Sequence, residues 1–171
     1  MVEMIRQQYI SGQKNWPTRL LAKRQLGFVD KYISGKVLDV GCGDGVVGAI
    51  YPDVTSCDII DYNKFGIEVD VCRAEKLPYS DKSFDTVCLI GVIEHTSDPV
   101  ATLVECHRVC RGQLIITYPE GLGWNVLKTI IPKHGIKLHA DFKMNGQMSD
   151  WWLTERKWII PGFFVGEVYQ T

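Results

Sequence analysis

Apolar residues recur along the chain with two different periods, and the change of period marks the elements. Up to residue 35 the spacing is helical, with Leu21, Phe28, Val29 and Tyr32 on a core-facing side. Trp16-Pro17 reads as a helix start, because a proline in the first turn gives up an N–H that has no partner there. Gly35, within Ser34-Gly35-Lys36, supplies the stop. Short apolar runs then take over and predict strands over 37–40, 54–60, 67–71, 86–90 and 113–117. Between them, 46–51 suits a short helix stopped at Pro52, and Asp98-Pro99 opens a longer helix with Asp98 as N-cap. Leu103, Val104, His107 and Cys110 follow on related faces of that helix. Apolar strands alternating with helices argue for a largely parallel sheet covered on both faces. The joint between the second and third strands, 61–66, is too short for a crossover helix and predicts a loop or single turn. Beyond Glu120 the periodicity weakens: 122–131 suits a short apolar helix, and 162–170 a final strand.

Composition changes this picture little. The 171 residues suit one domain with one core, and 46% apolar with 23% charged residues is the make-up of an ordinary globule. A net charge of -1 gives no global attraction to nucleic acid or anionic membrane. No apolar run reaches the ~18–20 residues that span a bilayer, and residues 1–15 lack the apolar segment of a secretory signal, so the expected setting is cytoplasmic. The cysteines at 42, 57, 72, 88, 106 and 110 sit mostly in apolar stretches, where cysteine behaves as a small hydrophobe. No C-x-x-C pair exists, and Cys106 and Cys110 have no second pair at zinc-like spacing, so free thiols and no metal are expected. Lys133, His134, Lys137, His139 and Lys143 form a basic stretch that reads as a solvated face before it reads as a phosphate or RNA contact.

The chemistry concentrates in Val37-Leu38-Asp39-Val40-Gly41-Cys42-Gly43-Asp44-Gly45. A strand feeding a glycine-rich turn and then a helix offers backbone N–H groups and close approach to a ligand. Asp39, two positions before the first glycine, can engage a cationic amine. Val46 stands in the third-glycine slot of the dinucleotide fingerprint, which weakens a nicotinamide or flavin reading. Asp58, after the second strand, lies near the separation at which an acid meets ribose hydroxyls; Asp61 is its neighbouring competitor.

Three further segments, in order, give a resemblance. Arg73-Ala74-Glu75-Lys76-Leu77-Pro78-Tyr79, Gly91-Val92-Ile93-Glu94-His95 and Glu105-Cys106-His107-Arg108-Val109 follow the glycine turn. Together they resemble the class I S-adenosylmethionine-dependent methyltransferases, particularly the small "methyltransferase type 11" subgroup, over about residues 36 to 119. The resemblance implies an α/β, Rossmann-like methyltransferase sheet, mostly parallel, with an N-terminal helical cap. It implies S-adenosylmethionine as cofactor and S-adenosylhomocysteine as product. Asp39, Gly41, Cys42 and Gly43 would cradle the methionyl part and Asp58 would hold the ribose. Ile59 would pack on the adenine, with Ala74 and Glu75 at its border. Gly91 and Val92 would line the cleft where the methyl group leaves.

The chain departs from the family pattern at two places. Arg73 stands where the family usually has an acid that accepts from the adenine amino group, and arginine cannot accept. Residues 162–168 resemble the sixth strand, so a seventh strand is expected to be lacking. A partner, or a second copy, would then cover an exposed sheet edge. The expected organisation is one domain: a cap over 1–35, a cofactor-binding core over 36–119, a lid over 120–157 and a last strand over 158–171. The acceptor pocket is expected from the N-terminal helices and the lid, where Trp124, Trp151 and Trp152 would suit an apolar or planar small molecule or simply pack. Candidate bases are His95, Glu94 and Tyr118. The expected activity is in-line methyl transfer to a small-molecule acceptor. The alternatives are a catalytically silent cofactor-binding or partner-dependent module and, less favoured, a dinucleotide oxidoreductase.

Overall fold

The computed structural model describes residues 1–51, 53–62, 64–120, 152–161 and 164–170. Helices α1 (Val2–Gly12) and α2 (Trp16–Tyr32) come first. The second begins at a reciprocal cap: the Asn15 side chain accepts the Thr18 N–H at 3.2 Å, and the Thr18 hydroxyl accepts the Asn15 N–H. Then follow β1 (Val37–Val40), α3 (Val46–Ile50), β2 (Val54–Asp58), β3 (Asp70–Val71) and β4 (Phe84–Ile90). A single 3-10 turn at Ile93–His95 leads to α4 (Pro99–Val109), β5 (Cys110–Pro119), β6 (Trp152–Ile160) and β7 (Phe164–Gln170). The α4 start is as the sequence predicts, with the Asp98 carboxylate accepting the Ala101 N–H. The stretch 59–69 contains no helix among its described residues.

The strands form one sheet in the order β3-β2-β1-β4-β5-β7-β6. The first five pair in parallel, and β7 runs antiparallel to both β5 and β6. Two expectations are corrected here. The segment read as a sixth strand is the inserted antiparallel strand, β7, so the sheet has seven strands among the described residues. The strand that sequence reading missed is β6, which starts inside the stretch assigned to a lid. Its run of Glu155, Arg156 and Lys157 breaks the apolar pattern because β6 is an edge strand, where charged side chains can face water. The missing strand therefore gives no motive for a partner. The predicted helix over 122–131 and the basic stretch over 133–143 lie outside the described residues, as do Trp124 and Trp151.

β1 is buried along its whole length because helices cover both faces of the sheet. On one face Leu103, Cys106 and Val109 of α4 pack on Leu38, Val87 and Leu114. Val104, on a related face by its spacing, points to solvent. On the other face Phe28 and Val29 of α2 pack on Val37, Cys88 and Ile115. A layer made by α1 and α3 closes over α2, with Ile5 and Tyr9 against Leu26, Val47 and Ile50. Arg6 fastens α1 there through two 2.6 Å bonds to Asp30, which also takes the Tyr51 hydroxyl. The strand order reverses between β1 and β4, and in open α/β sheets that switch point, beyond the carboxyl ends of the strands, is where ligands bind. Among the described residues no helix is long and apolar enough to cross a membrane.

Candidate functional site

At the switch point the chain leaves β1 through Gly41, Cys42 and Gly43. Gly41 has φ +73°, and a Cβ there would come within 2.5 Å of Val92, so the turn can pass under Val92 only with glycine. The Gly41 and Cys42 N–H groups both bond the Cys57 carbonyl, at 2.8 and 3.0 Å, tying the turn to the end of β2. Gly43, φ +56°, differs: a Cβ there would meet nothing within 4 Å, so the space above it is open. Its N–H donates to Asp58 Oδ2 at 2.9 Å, and Asp58 Oδ1 accepts the Ile60 N–H.

Two cavities meet at this turn. The larger, about 540 Å³, runs along the ends of β2, β3 and β4; its walls include Asp58, Ile59, Ala74, Glu75, Val92 and His95. The smaller, about 220 Å³, lies beneath α1 and α2, with Asp39, Cys42, Tyr9 and Gln25 in its wall. Gly41, Gly43 and Gly91 line both. All ten residues expected to hold a cofactor are therefore brought together. Asp61, the competitor of Asp58, lines neither cavity.

The electrostatics of the smaller cavity are unusual. Asp39 is 2% exposed, and its Oδ2 has no hydrogen-bond partner. Burial, reinforced by Asp58 and Asp44, pushes its carboxyl up to about 7. Leaving a buried carboxylate oxygen unpaired is costly, so the site is arranged to receive a donor, preferably cationic. The Cys42 thiol is pushed up to about 12, mainly by burial, which leaves it a packing group with little thiolate character. Burial also raises Tyr9 to about 12, with Asp44 and Asp39 adding to it.

The three candidate bases separate. Glu94 is 8% exposed, Oε2 lacks a partner, and burial lifts its carboxyl to about 7. It stands beside Gly91: a Cβ on that glycine would lie 3.7 Å from Glu94 Oε1 and 3.8 Å from Gln25 Nε2. Gln25 in turn donates to the Thr117 hydroxyl at 3.1 Å. His95 lies at the rim of the larger cavity, its pKa lowered by partial burial. Tyr118 lines neither cavity; it packs against the α4-side core and hydrogen-bonds Glu167, with burial as the main cause of its raised pKa.

Sequence reading missed Tyr9 and Gln25, which come from the helical cap. The signal was the i, i+4 pair Ile5 and Tyr9 within a stretch that otherwise reads as polar. It also missed Cys72 and Ser97 in the larger cavity. Arg73 is held there by Ser97 Oγ at 2.8 Å and by Glu75, whose Oε1 also accepts the Ser97 N–H and hydroxyl. A Glu75 side chain turned to Ser97 explains how an arginine is accommodated beside the cleft.

Residues 38–116 match the family model described as "Methyltransferase domain". A Mycobacterium tuberculosis protein described as a "probable S-adenosylmethionine-dependent methyltransferase" is 32% identical over 120 residues, which cover 61% of this chain and 44% of that protein. The chain thus spans less than half the length of that relative. Among solved structures, a methyltransferase of Thermotoga maritima superposes with a TM-score of 0.70 at 18% identity, covering 98% of this chain and 94% of that one. Magnesium protoporphyrin IX methyltransferase from Synechocystis, with bound S-adenosylhomocysteine, gives 0.68 at 18% identity, with the same coverage of 98% and 94%. At such identities these likenesses speak for the fold.

Proposed function

Because residues 38–116 match a methyltransferase domain model, we propose that the chain is a class I S-adenosylmethionine-dependent methyltransferase, that its two joined cavities bind S-adenosylmethionine and that it transfers the methyl group to a small-molecule acceptor. The observation that carries this reading is Asp39: a buried carboxylate with a free oxygen in the wall of the smaller cavity is explained by a ligand with a cationic amine. The open space above Gly43 and the Asp58 carboxylate in the other cavity fit the rest of the group, the sulfonium link and the ribose.

When bound, S-adenosylmethionine supplies an electrophilic methyl on a positively charged sulfur. This chain's residues align and shield it. Asp39 holds the amine, Asp58 the ribose hydroxyls, and Ile59 with Ala74 the adenine faces. Gly91, in the wall of both cavities, would leave the methyl side uncovered; Gln25, in the wall of the smaller one, and Glu94, buried and lining neither, stand beside that glycine. A carboxylate whose pKa is about 7 can take a proton from an acceptor hydroxyl as the new bond forms, or from an ammonium before its freed lone pair attacks. Glu94 is thus the favoured base of the three candidates.

Calorimetric titration with S-adenosylhomocysteine tests the binding half, with micromolar affinity expected. A well-folded chain that does not bind it overturns the reading. Transfer of a labelled methyl group to a panel of small acceptors tests the other half. A second reading, a catalytically silent cofactor-binding module, is favoured only by Arg73 on the adenine side. It predicts binding without transfer, whatever the acceptor.

A further inference from the structure

Cys57 and Cys72 stand apart from the other cysteines. Cys57 ends the buried part of β2, and Cys72 follows β3 directly; both line the larger cavity. In the β2–β3 register Cys57 faces Asp70, so Cys72, two residues further on, projects from the same side as a diagonal neighbour. Cys57 and Cys72 thus share one face of the sheet and one cavity, and the Tyr79 hydroxyl donates at 2.8 Å to Asp70, the residue opposite Cys57 in that register. Cys57 is buried, and Cys72 is reachable through the cleft.

We propose that Cys57 and Cys72 form a peroxide-sensitive thiol pair whose conversion to a disulfide weakens binding at the ribose end of the cleft. Cys72 is the attacking thiol, because it is the half-exposed member of the pair and lines the open cavity, and its neighbour Cys57 lowers its pKa. Cys88 and Cys106 are fully buried, and their thiols are pushed up by that burial. Cys72 gives up its proton and attacks one peroxide oxygen as the thiolate, the O–O bond breaks, and the leaving hydroxide takes up that proton, so that a sulfenic acid and one water result. The Cys57 sulfur then attacks the sulfenic sulfur, its proton leaving with the hydroxyl as a second water. Two thiols are oxidised by two electrons and one peroxide is reduced.

The coupling to the ligand follows from backbone geometry. Diagonal neighbours in a sheet lie about 7–8 Å apart, and a disulfide needs its Cα atoms closer, at about 4.4–6.8 Å. Bond formation therefore draws the chain after β3 toward β2. The edge strand can follow, being two residues long and exposed. The Cys72 N–H donates to the Asp58 carbonyl at 2.8 Å, so the movement is passed to the residue whose carboxylate holds the Gly43 N–H.

The inference about binding rests on the cofactor reading above; the disulfide itself does not. Treating the reduced chain with hydrogen peroxide and mapping its peptides without reduction should give a 57–72 crosslink lighter by two hydrogens and reversed by dithiothreitol. Saturating S-adenosylhomocysteine should slow its formation. The oxidised chain should bind S-adenosylhomocysteine about tenfold more weakly, and reduction should restore the affinity. Cys72→Ser should bind equally before and after peroxide, and Cys57→Ser should stop at a Cys72 sulfenic acid that dimedone traps. A crosslink between other cysteines, or oxidation of all six at one rate, overturns the pair. A 57–72 crosslink with unchanged affinity overturns the coupling. If neither form binds S-adenosylhomocysteine, the cofactor reading fails, while the crosslink is judged separately.

Discussion

Replacing Asp39 with asparagine should make the protein more stable and a worse binder, and the two effects come from one carboxylate. An acid held at about 7 in place of 3.8 carries a folding penalty of about 4 kcal/mol once ionised, at about 1.4 kcal/mol per pH unit. The sign follows from proton counts. Between those two values the native state keeps a proton that the unfolded chain has lost, so stability falls as pH rises through that window. Asparagine removes the ionisation but leaves an amide in the same pocket, and an unsatisfied buried group costs about 1–3 kcal/mol. The net expectation at pH 7.5 is a gain of about 1–3 kcal/mol, or about 2–4 °C in melting temperature for each kcal/mol. The loss of a charge-assisted hydrogen bond to the ligand amine costs about 1.5–3 kcal/mol, a drop in affinity of roughly 10- to 150-fold. Urea melts at pH 5 and 7.5, with calorimetric titration of S-adenosylhomocysteine, read both effects. A variant less stable than the parent at pH 7.5 refutes the unpaired carboxylate. An unchanged affinity refutes the amine contact.

Other substitutions probe the remaining contacts. Asp58→Ala should weaken S-adenosylhomocysteine by about 1–3 kcal/mol in a chain that still folds; equal binding removes the ribose role. Gly43→Ala adds a methyl group where the apo chain has room but at φ +56°, so thermal melting should show a loss of about 1–2 kcal/mol, and titration should show weaker binding where that methyl meets ligand. If Glu94 is the base, kcat/KM should rise with pH through about 7; Glu94→Gln should abolish that limb, and a retained limb assigns it elsewhere. Arg6→Ala should loosen α1 and with it Tyr9, weakening cofactor binding several-fold while proteolysis of α1 becomes faster; an unaffected titration separates α1 from the smaller cavity.

Local chemistry in the sequence was enough for the central part of this protein. A strand, a glycine turn and an acid at the end of the next strand are set by short-range rules, and β1, α3, β2, α4 and the Asp39, Gly43 and Asp58 positions were legible for that reason. The burial of most cysteines was legible too, since they lie mostly in apolar stretches. What stayed hidden depended on partners distant in the chain. β6 is a strand because β7 pairs with it, and its charged run is tolerated because only one neighbour covers it. The identity of β7 as the antiparallel insert turns on its pairing with β5, which no periodicity reports. Tyr9 and Gln25 reach the cleft because α1 packs on α2 and α2 on the sheet, contacts between residues far apart in the chain. The unpaired state of Asp39, the contact of Cys57 with Cys72 and the place of Glu94 beside Gly91 are likewise tertiary facts. Burial and the company a side chain keeps are set by the packing of the whole chain, and pattern along the sequence carries only the part that neighbouring residues decide.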